Sequence, residues 1–431
     1  MASPPARSLL RLTLVVFLVV ATLLVQAQSA LEVTAGRAGR QNVETQPKVA
    51  IIGAGIGGAF TAYNLRQLMN NTVELHVFEG KDIGGRVQTF SYEGHAYEAG
   101  ASIVFSKNYY VRDAADKLAL KRVPPEGSSE DLFSIYDGSK FVFRQSEWTT
   151  ITLWRMVQRY WLTYFTFQAP KQMLQKFLRL YDIQSQGRSF DTPEAFLKEL
   201  GLYDLTQQSM HSYLKKSLGS STASRRFATE FVAAVNKVNY NQDSGLNAFA
   251  GMVSMLPTVN PDLFKIDGGN VQVPQLLLEH AHPDLHKTNV TKIVKSSDGT
   301  FQIETQDSSH MHGPFAAVVI ATPLESSSIE FEGVELPHIP ARKFQSTVST
   351  FVRGHLNGSY FGLEARPKGA IMVSEHAGTP FSVISPAKQF PDKTILYKLF
   401  STSAMQQQAL SSIFTQHEVI GTFPWVRQVL Q

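Results

Sequence analysis

The segment Lys48-Val49-Ala50-Ile51-Ile52-Gly53-Ala54-Gly55-Ile56-Gly57-Gly58 constrains this chain more than any other stretch. Its short, unbroken apolar run suits a strand buried on both faces, as in a parallel sheet. The run meets a complete G-x-G-x-x-G. Residues Ala59 to Leu68 then read as a helix, with Phe60, Tyr63 and Leu68 among the apolar positions. Val73 to Glu79 alternates as a second strand and ends in an acid.

Each part has a physical task. Gly53 permits the tight turn out of the strand, Gly55 lets backbone approach a pyrophosphate, and Gly58 lets helix and strand pack closely. The helix N-terminus offers unpaired N–H groups and the positive end of its dipole. Glu79, 21 residues after Gly58, stands where ribose hydroxyls would be bound. The candidate dinucleotide site is therefore Gly53, Ala54, Gly55, Gly57, Gly58 and Glu79. An acid at Glu79 disfavours a 2′-phosphate, which leaves FAD or NAD ahead of NADP.

The continuation separates those two. Gly84-Gly85-Arg86 follows the second strand, and Glu98-Ala99-Gly100-Ala101-Ser102 comes after a hairpin-like stretch through Gly94. Alone, Gly84-Gly85-Arg86 is an ordinary turn with a surface arginine. In this order the segments resemble the flavoprotein amine-oxidase type of FAD fold, in which such an arginine faces phosphate. Further on, Asp267-Gly268-Gly269-Asn270 precedes a helix pattern from Val273 to His280. Lys287 to Ile293, a strand pattern that includes Val290, is followed by strands at Phe301 to Glu304 and Ala317 to Ile320, and then by Ala321-Thr322-Pro323. Val290 and Thr322 complete the cofactor candidates. The expected fold is α/β (α+β overall): a discontinuous Rossmann-type FAD-binding domain of the amine-oxidase (GR2) kind at 47–125 and 226–325. A largely helical, mixed-sheet substrate domain is expected at 126–225 and 326–431.

The N-terminus reads as an address. From Leu12 to Val25 every residue except Thr13, Ala21 and Thr22 is Leu, Val or Phe, behind Arg7 and Arg11. That run is shorter than the roughly 20 residues a membrane span needs, and small residues follow it, so a signal peptide at 1–30 and a linker at 31–46 are expected. Secretory entry gives meaning to the N-x-[ST] triplets at Asn70, Asn289 and Asn357 as glycosylation sites, with Asn289 the best placed beside the loop at His282-Pro283-Asp284. The formal charge of +4 falls to +2 without the leader's two arginines, which gives nucleic-acid binding little support. The chain has no cysteine, so disulfides, thiolate metal sites and a flavin attached through sulfur are excluded.

Three further stretches narrow the reading: Tyr97-Glu98-Ala99-Gly100-Ala101-Ser102-Ile103, the run Val238-Asn239-Tyr240-Asn241-Gln242 with Leu246 to Gly251, and Val319-Ile320-Ala321-Thr322-Pro323-Leu324. Together with the entry motif from Ala50 to Gly58, they resemble the prenylcysteine oxidase family, including plant farnesylcysteine lyase, and the similarity runs from about Lys48 to Gln431. The resemblance implies FAD as cofactor and oxidative cleavage of a prenylcysteine thioether. A hydride would leave C1 of the isoprenoid for the flavin and water would attack the resulting thiocarbenium ion. Cysteine, a prenyl aldehyde and, with oxygen, hydrogen peroxide would be released. It also implies a lysosomal or vacuolar destination.

On that reading the aromatic segment Trp148, Trp154, Tyr160, Trp161, Tyr164, Phe165 and Phe167, followed by Lys171 and Lys176, offers prenyl or peripheral membrane contact. Trp154, Tyr160, Trp161 and Tyr164 are the substrate candidates. Helical spacing of Tyr160, Tyr164 and Phe167 equally describes a plain core. No catalytic base is assignable, no nucleic-acid partner is expected, and oligomeric state is not legible. The H-x-H pairs His280/His282 and His310/His312 lack a third ligand, so no metal site is expected. Members of the family extend past the equivalent of Pro424-Trp425 into a segment that returns to the flavin, and the stop at Gln431 reads as a truncation. The rivals are a flavin amine or polyamine oxidase and a non-catalytic, lipid-associated remnant.

Overall fold

The computed structural model describes residues 46–125, 132–336 and 344–428. The leader at 1–30, and all of the linker except Gln46, lie outside the described residues. The chain divides into two compact units.

The first unit takes the described residues up to Val123, then Leu180–Asp191, then those from Lys265 to 336. Its centre is a four-stranded parallel sheet. Strand β1 (Lys48–Ile52) lies between β2 (Glu74–Phe78) and the strand Ala317–Ile320, and Asp284–His286 adds to the outer side of β2. Helix α1 (Ile56–Met69) joins β1 to β2. It buries Gly58, Ala59, Ala62 and Leu65, a stripe at helical spacing, and packs with the helix Gln272–Ala281. That second helix buries Val273, Pro274, Leu277, Leu278 and Ala281. A smaller sheet of Ser308–Phe315, Phe301–Thr305, Val290–Lys295 and Glu330–Glu332 belongs to the same unit. Ala50, Ile52 and Phe78 of the parallel sheet share one apolar core with Ile293, Ile303 and Phe315 of the smaller sheet.

The second unit takes the described residues of 124–179, 192–264 and 344–428. Its seven-stranded sheet runs in the order Phe414–Gln428, Phe344–Leu356, Ile395–Ser401, Val383–Gln389, Ala370–Val373, Phe133–Tyr136, Phe141–Arg144. Helices make up most of its residues between 149 and 259, among them Thr149–Tyr160, Met210–Leu218 and Ala233–Tyr240. Thr192 caps the helix Pro193–Glu199 by accepting the amide of Ala195, and Gly201 follows it at φ +66°.

The partition differs from the expected one. Residues 226–264 pack with the second unit instead of the dinucleotide-binding one, while Leu180–Asp191 and 326–336, whose strand Glu330–Glu332 pairs with Val290–Lys295, join the first. The reason is side-chain burial: Phe227 and Phe231 stack at 5.6 Å and contact Tyr160, so this stretch is core for the aromatic segment upstream. Tyr181, in turn, stacks on Tyr109 and accepts its amide.

Candidate functional site

The turn after β1 is built from backbone alone. The Gly53 amide donates to the Phe78 carbonyl at 2.8 Å, tying the glycine to the end of β2. Gly53 has φ +103°, a conformation that costs glycine little. A methyl group on Gly58 would lie 1.8 Å from the Gly53 carbonyl oxygen, so only glycine lets the helix begin this close to the strand. Gly57 is the opposite case: a Cβ there would meet nothing within 4 Å. That open space sits at the first turn of α1. Gly55 is its N-cap, no side chain caps it, and no acidic residue occupies the turn. The N–H groups and positive dipole end at this point are thus available to an anion.

The second glycine loop lies against the first. Gly55 and Gly84 form a parallel bridge, and the Gly84 amide donates to the Ala54 carbonyl at 3.0 Å. A Cβ on Gly85 would sit 3.3 Å from the Gly55 Cα. Arg86 follows, exposed, with its carbonyl accepting the Ala101 amide. Among the described residues no ion pair engages its guanidinium, which leaves it available to phosphate.

Glu79 closes the arrangement. One carboxylate oxygen accepts the Ala54 amide and the other the Lys81 amide, both at 2.9 Å. Each oxygen keeps a further acceptor position, so ribose hydroxyls can be bound without losing either bond. The Glu79 amide donates to the carbonyl of His286. On the other side of β1 the Ala321 amide donates to Ile52, which brings Ala321-Thr322 alongside Gly53. Val290 is half-buried on the core between the two sheets.

The second motif block is locked to the downstream glycine turn. Glu98, 7% exposed, accepts the amide of Asn270 at 2.6 Å and the hydroxyl of Thr89, and Asn270 donates to the Ala101 carbonyl. Sequence reading placed both stretches in the domain without anticipating this bond. The residues fit a dinucleotide: an open cradle of glycines, unpaired helix N–H groups, a free arginine and an acid at the end of β2.

In the second unit the aromatic segment splits into two populations. Tyr160 is fully buried against Phe143, Phe227 and Phe231, and Phe167 is buried against Phe227. Tyr160 is therefore a core residue, a correction to its reading as a substrate contact: it ends the buried stripe that starts at Met156. Burial raises its hydroxyl pKa, with Glu230 nearby adding to the effect. Tyr164 is half-buried against Phe231. Trp148, Trp154 and Trp161 are 71%, 65% and 65% exposed, with Leu162 and Phe165 exposed beside them. Trp161 has φ +53°, which a bulky side chain rarely adopts.

Asn241, within the stretch singled out by sequence, is a lock of the second unit. It ends the helix Ala233–Tyr240 in the left-handed conformation, and its side-chain amide donates to the Ser401 carbonyl at 3.1 Å and to the Thr347 hydroxyl at 3.3 Å. Its side-chain oxygen accepts from Ser382.

The three sequon asparagines differ in their surroundings. Asn289 is exposed, but its side-chain N–H donates to Gln306 and its amide packs on Gly80. Asn357 is spent on capping: its oxygen accepts the Ser359 amide and its nitrogen donates to the Ser412 carbonyl. Asn70 is exposed at a helix end, and among the described residues nothing engages its side chain. The two H-x-H pairs have different surroundings. His280 faces the Leu276 carbonyl, and His312 lies on an edge strand against Phe78 and His286.

Comparison with known proteins agrees with this geometry. The profile of the prenylcysteine lyase family matches residues 143–428, and that of an NAD(P)-binding Rossmann-like domain matches 51–118. Prenylcysteine oxidase 1 of Mus musculus is 30% identical over 409 residues, covering 88% of this chain and 79% of its own. Farnesylcysteine lyase of Arabidopsis thaliana is 29% identical over 398 residues, covering 88% and 78%. Among solved structures, cyclohexylamine oxidase from Brevibacterium oxydans matches with a TM-score of 0.56 at 15% identity, over 89% of this chain and 85% of the other. Putrescine oxidase bound to putrescine matches with a TM-score of 0.55, also at 15% identity, over 88% and 84%. These structural likenesses show the fold.

Proposed function

The chain belongs to the prenylcysteine lyase family, and on that premise we propose that it is an FAD-dependent oxidase that cleaves prenylcysteine thioethers to cysteine and a prenyl aldehyde, consuming oxygen. The observation that carries this reading is the match to prenylcysteine oxidase 1 across 88% of the chain. Likeness to amine oxidases at 15% identity carries no substrate with it.

The chemistry FAD supplies when bound is acceptance of a hydride from the thioether carbon and its transfer to oxygen as hydrogen peroxide. The protein's part is binding. The first-turn amides of α1 and the guanidinium of Arg86 would hold the pyrophosphate, and Glu79 the adenosine ribose. Gly55, Gly84 and Gly85 keep the approach free of side chains. Water adding to the oxidised carbon completes the cleavage and frees the thiol of cysteine.

Exposed Trp148, Trp154 and Trp161, with Arg155 exposed between them, supply an amphipathic surface for a prenyl chain or for the membrane interface that delivers it. A cleft of about 520 Å³ in the same unit is lined by Phe141, Phe143, Trp148, Arg144, Arg155 and Lys368. The leader and the exposed sequon at Asn70 support a lumenal location, with a lysosome or vacuole as the destination.

The test is direct. Purified protein should carry flavin absorbance; farnesylcysteine should bleach it without oxygen, and admitting oxygen should restore it and release hydrogen peroxide. Bleaching by a polyamine and not by farnesylcysteine would overturn the reading.

A further inference from the structure

On the outer edge of the parallel sheet, three potential ligands converge from residues that are far apart in sequence. His76 lies on β2, and Asp284 and His286 lie on the neighbouring parallel strand, where Asp284 pairs with His76 and His286 with Phe78. The His76 Nδ1 is 3.0 Å from the His286 Nε2 and 3.8 Å from an Asp284 carboxylate oxygen. All three ligand atoms lie within 4.8 Å of one another. Ligands at zinc distances of about 2.0–2.2 Å in a tetrahedron stand about 3.4 Å apart, a value that the two separations from His76, 3.0 and 3.8 Å, bracket.

The surroundings prepare His76 for this role. Its Nε2 lies 2.7 Å from a Glu74 carboxylate oxygen, a contact that in the neutral imidazole keeps the proton on Nε2 and turns the Nδ1 lone pair toward His286 and Asp284. A carboxylate behind a ligating imidazole is a recurrent second layer of metal sites. With His76 in that tautomer, the 3.0 Å contact is made by the His286 Nε2 proton. To ligate, it needs only to change tautomer. The His76 side chain is 9% exposed, whereas Asp284 is 71% exposed, so the cluster is walled on one side and open to entering ions on the other.

We propose that His76, His286 and Asp284 form a binding site for a divalent transition-metal ion, with zinc, which two imidazoles and one carboxylate can hold, as the probe. Water completes the coordination from the Asp284 side. The ion would clip the edge strand to β2. Because the His286 carbonyl accepts the Glu79 amide, the clip lies directly behind the acid of the nucleotide site. The H-x-H pairs that sequence alone offered are not part of it.

The experiment titrates the purified full chain with zinc chloride by calorimetry and follows Tm with and without zinc. One equivalent should bind, and zinc should raise Tm in the unaltered protein. Asp284→Asn and Glu74→Gln, both at exposed or half-exposed positions, should each weaken binding about tenfold or more. The double variant Asp284→Asn/His286→Gln should abolish it, while His280→Ala/His310→Ala should leave it unchanged. Zinc binding equally to the unaltered protein and to the folded Asp284→Asn/His286→Gln variant would overturn the proposal, as would no binding to either.

Discussion

The Ala54 amide donates to the Glu79 carboxylate at 2.9 Å. One acid therefore holds the glycine turn from behind while presenting free acceptor positions to a ribose. Its other oxygen accepts the Lys81 amide, so Glu79 also shapes the start of the second glycine loop.

Glu79→Gln should separate these duties poorly, because the new NH2 must face one of two backbone donors. Leaving that amide unpaired costs about 1–3 kcal/mol. The expected outcome is at least a tenfold loss of flavin retention, read as bound flavin absorbance after dialysis.

Gly57 and Gly58 should respond oppositely to one methyl group. At Gly58 the methyl meets the Gly53 carbonyl at 1.8 Å, and Gly58→Ala should cost about 3 kcal/mol or fail to fold. At Gly57 there is open space in a helical first turn, so Gly57→Ala should hold or slightly raise Tm. It should nonetheless reduce flavin content, because the space it fills is where the pyrophosphate would lie. Thermal melts paired with flavin content check both.

Asn241→Ala should destabilise the second unit by about 2 kcal/mol or more. It leaves the buried Ser401 carbonyl and Thr347 hydroxyl without their donor and puts alanine into a left-handed conformation. Asn241→Gly should recover only the backbone part, which chemical denaturation would resolve.

Trp154→Ser and Trp161→Ser remove exposed side chains and should move stability by under about 0.5 kcal/mol. Cosedimentation with lipid vesicles should fall in both. Unchanged vesicle binding in the double variant would remove these residues from the proposed surface.

Asn70→Gln should abolish a glycan-dependent mobility shift in secreted protein, and Asn289→Gln should not. The difference follows from the folded surface: a glycan on Asn289 would have to displace its contacts with Gln306 and Gly80, whereas Asn70 has no side-chain contact to lose among the described residues.

What the sequence determined by itself was the local part of the site. The strand–glycine–helix–strand unit and its terminal acid all lie within Lys48 to Glu79, where apolar periodicity and glycine spacing report backbone geometry directly. The helix Gln272–Ala281, expected over Val273 to His280, was legible for the same reason. Tertiary structure decided everything that depends on register between distant strands. His76 and His286 are 210 residues apart, and only the parallel pairing of their strands brings their nitrogens to 3.0 Å. Burial of Tyr160 depended likewise on Phe227 and Phe231 arriving from elsewhere, which helical spacing cannot announce. The same holds for Glu98 and Asn270, for the engagement of Asn289, and for the transfer of Leu180–Asp191 to the first unit. Periodicity says which face of an element is covered; which partner covers it is set by the packing of the whole chain.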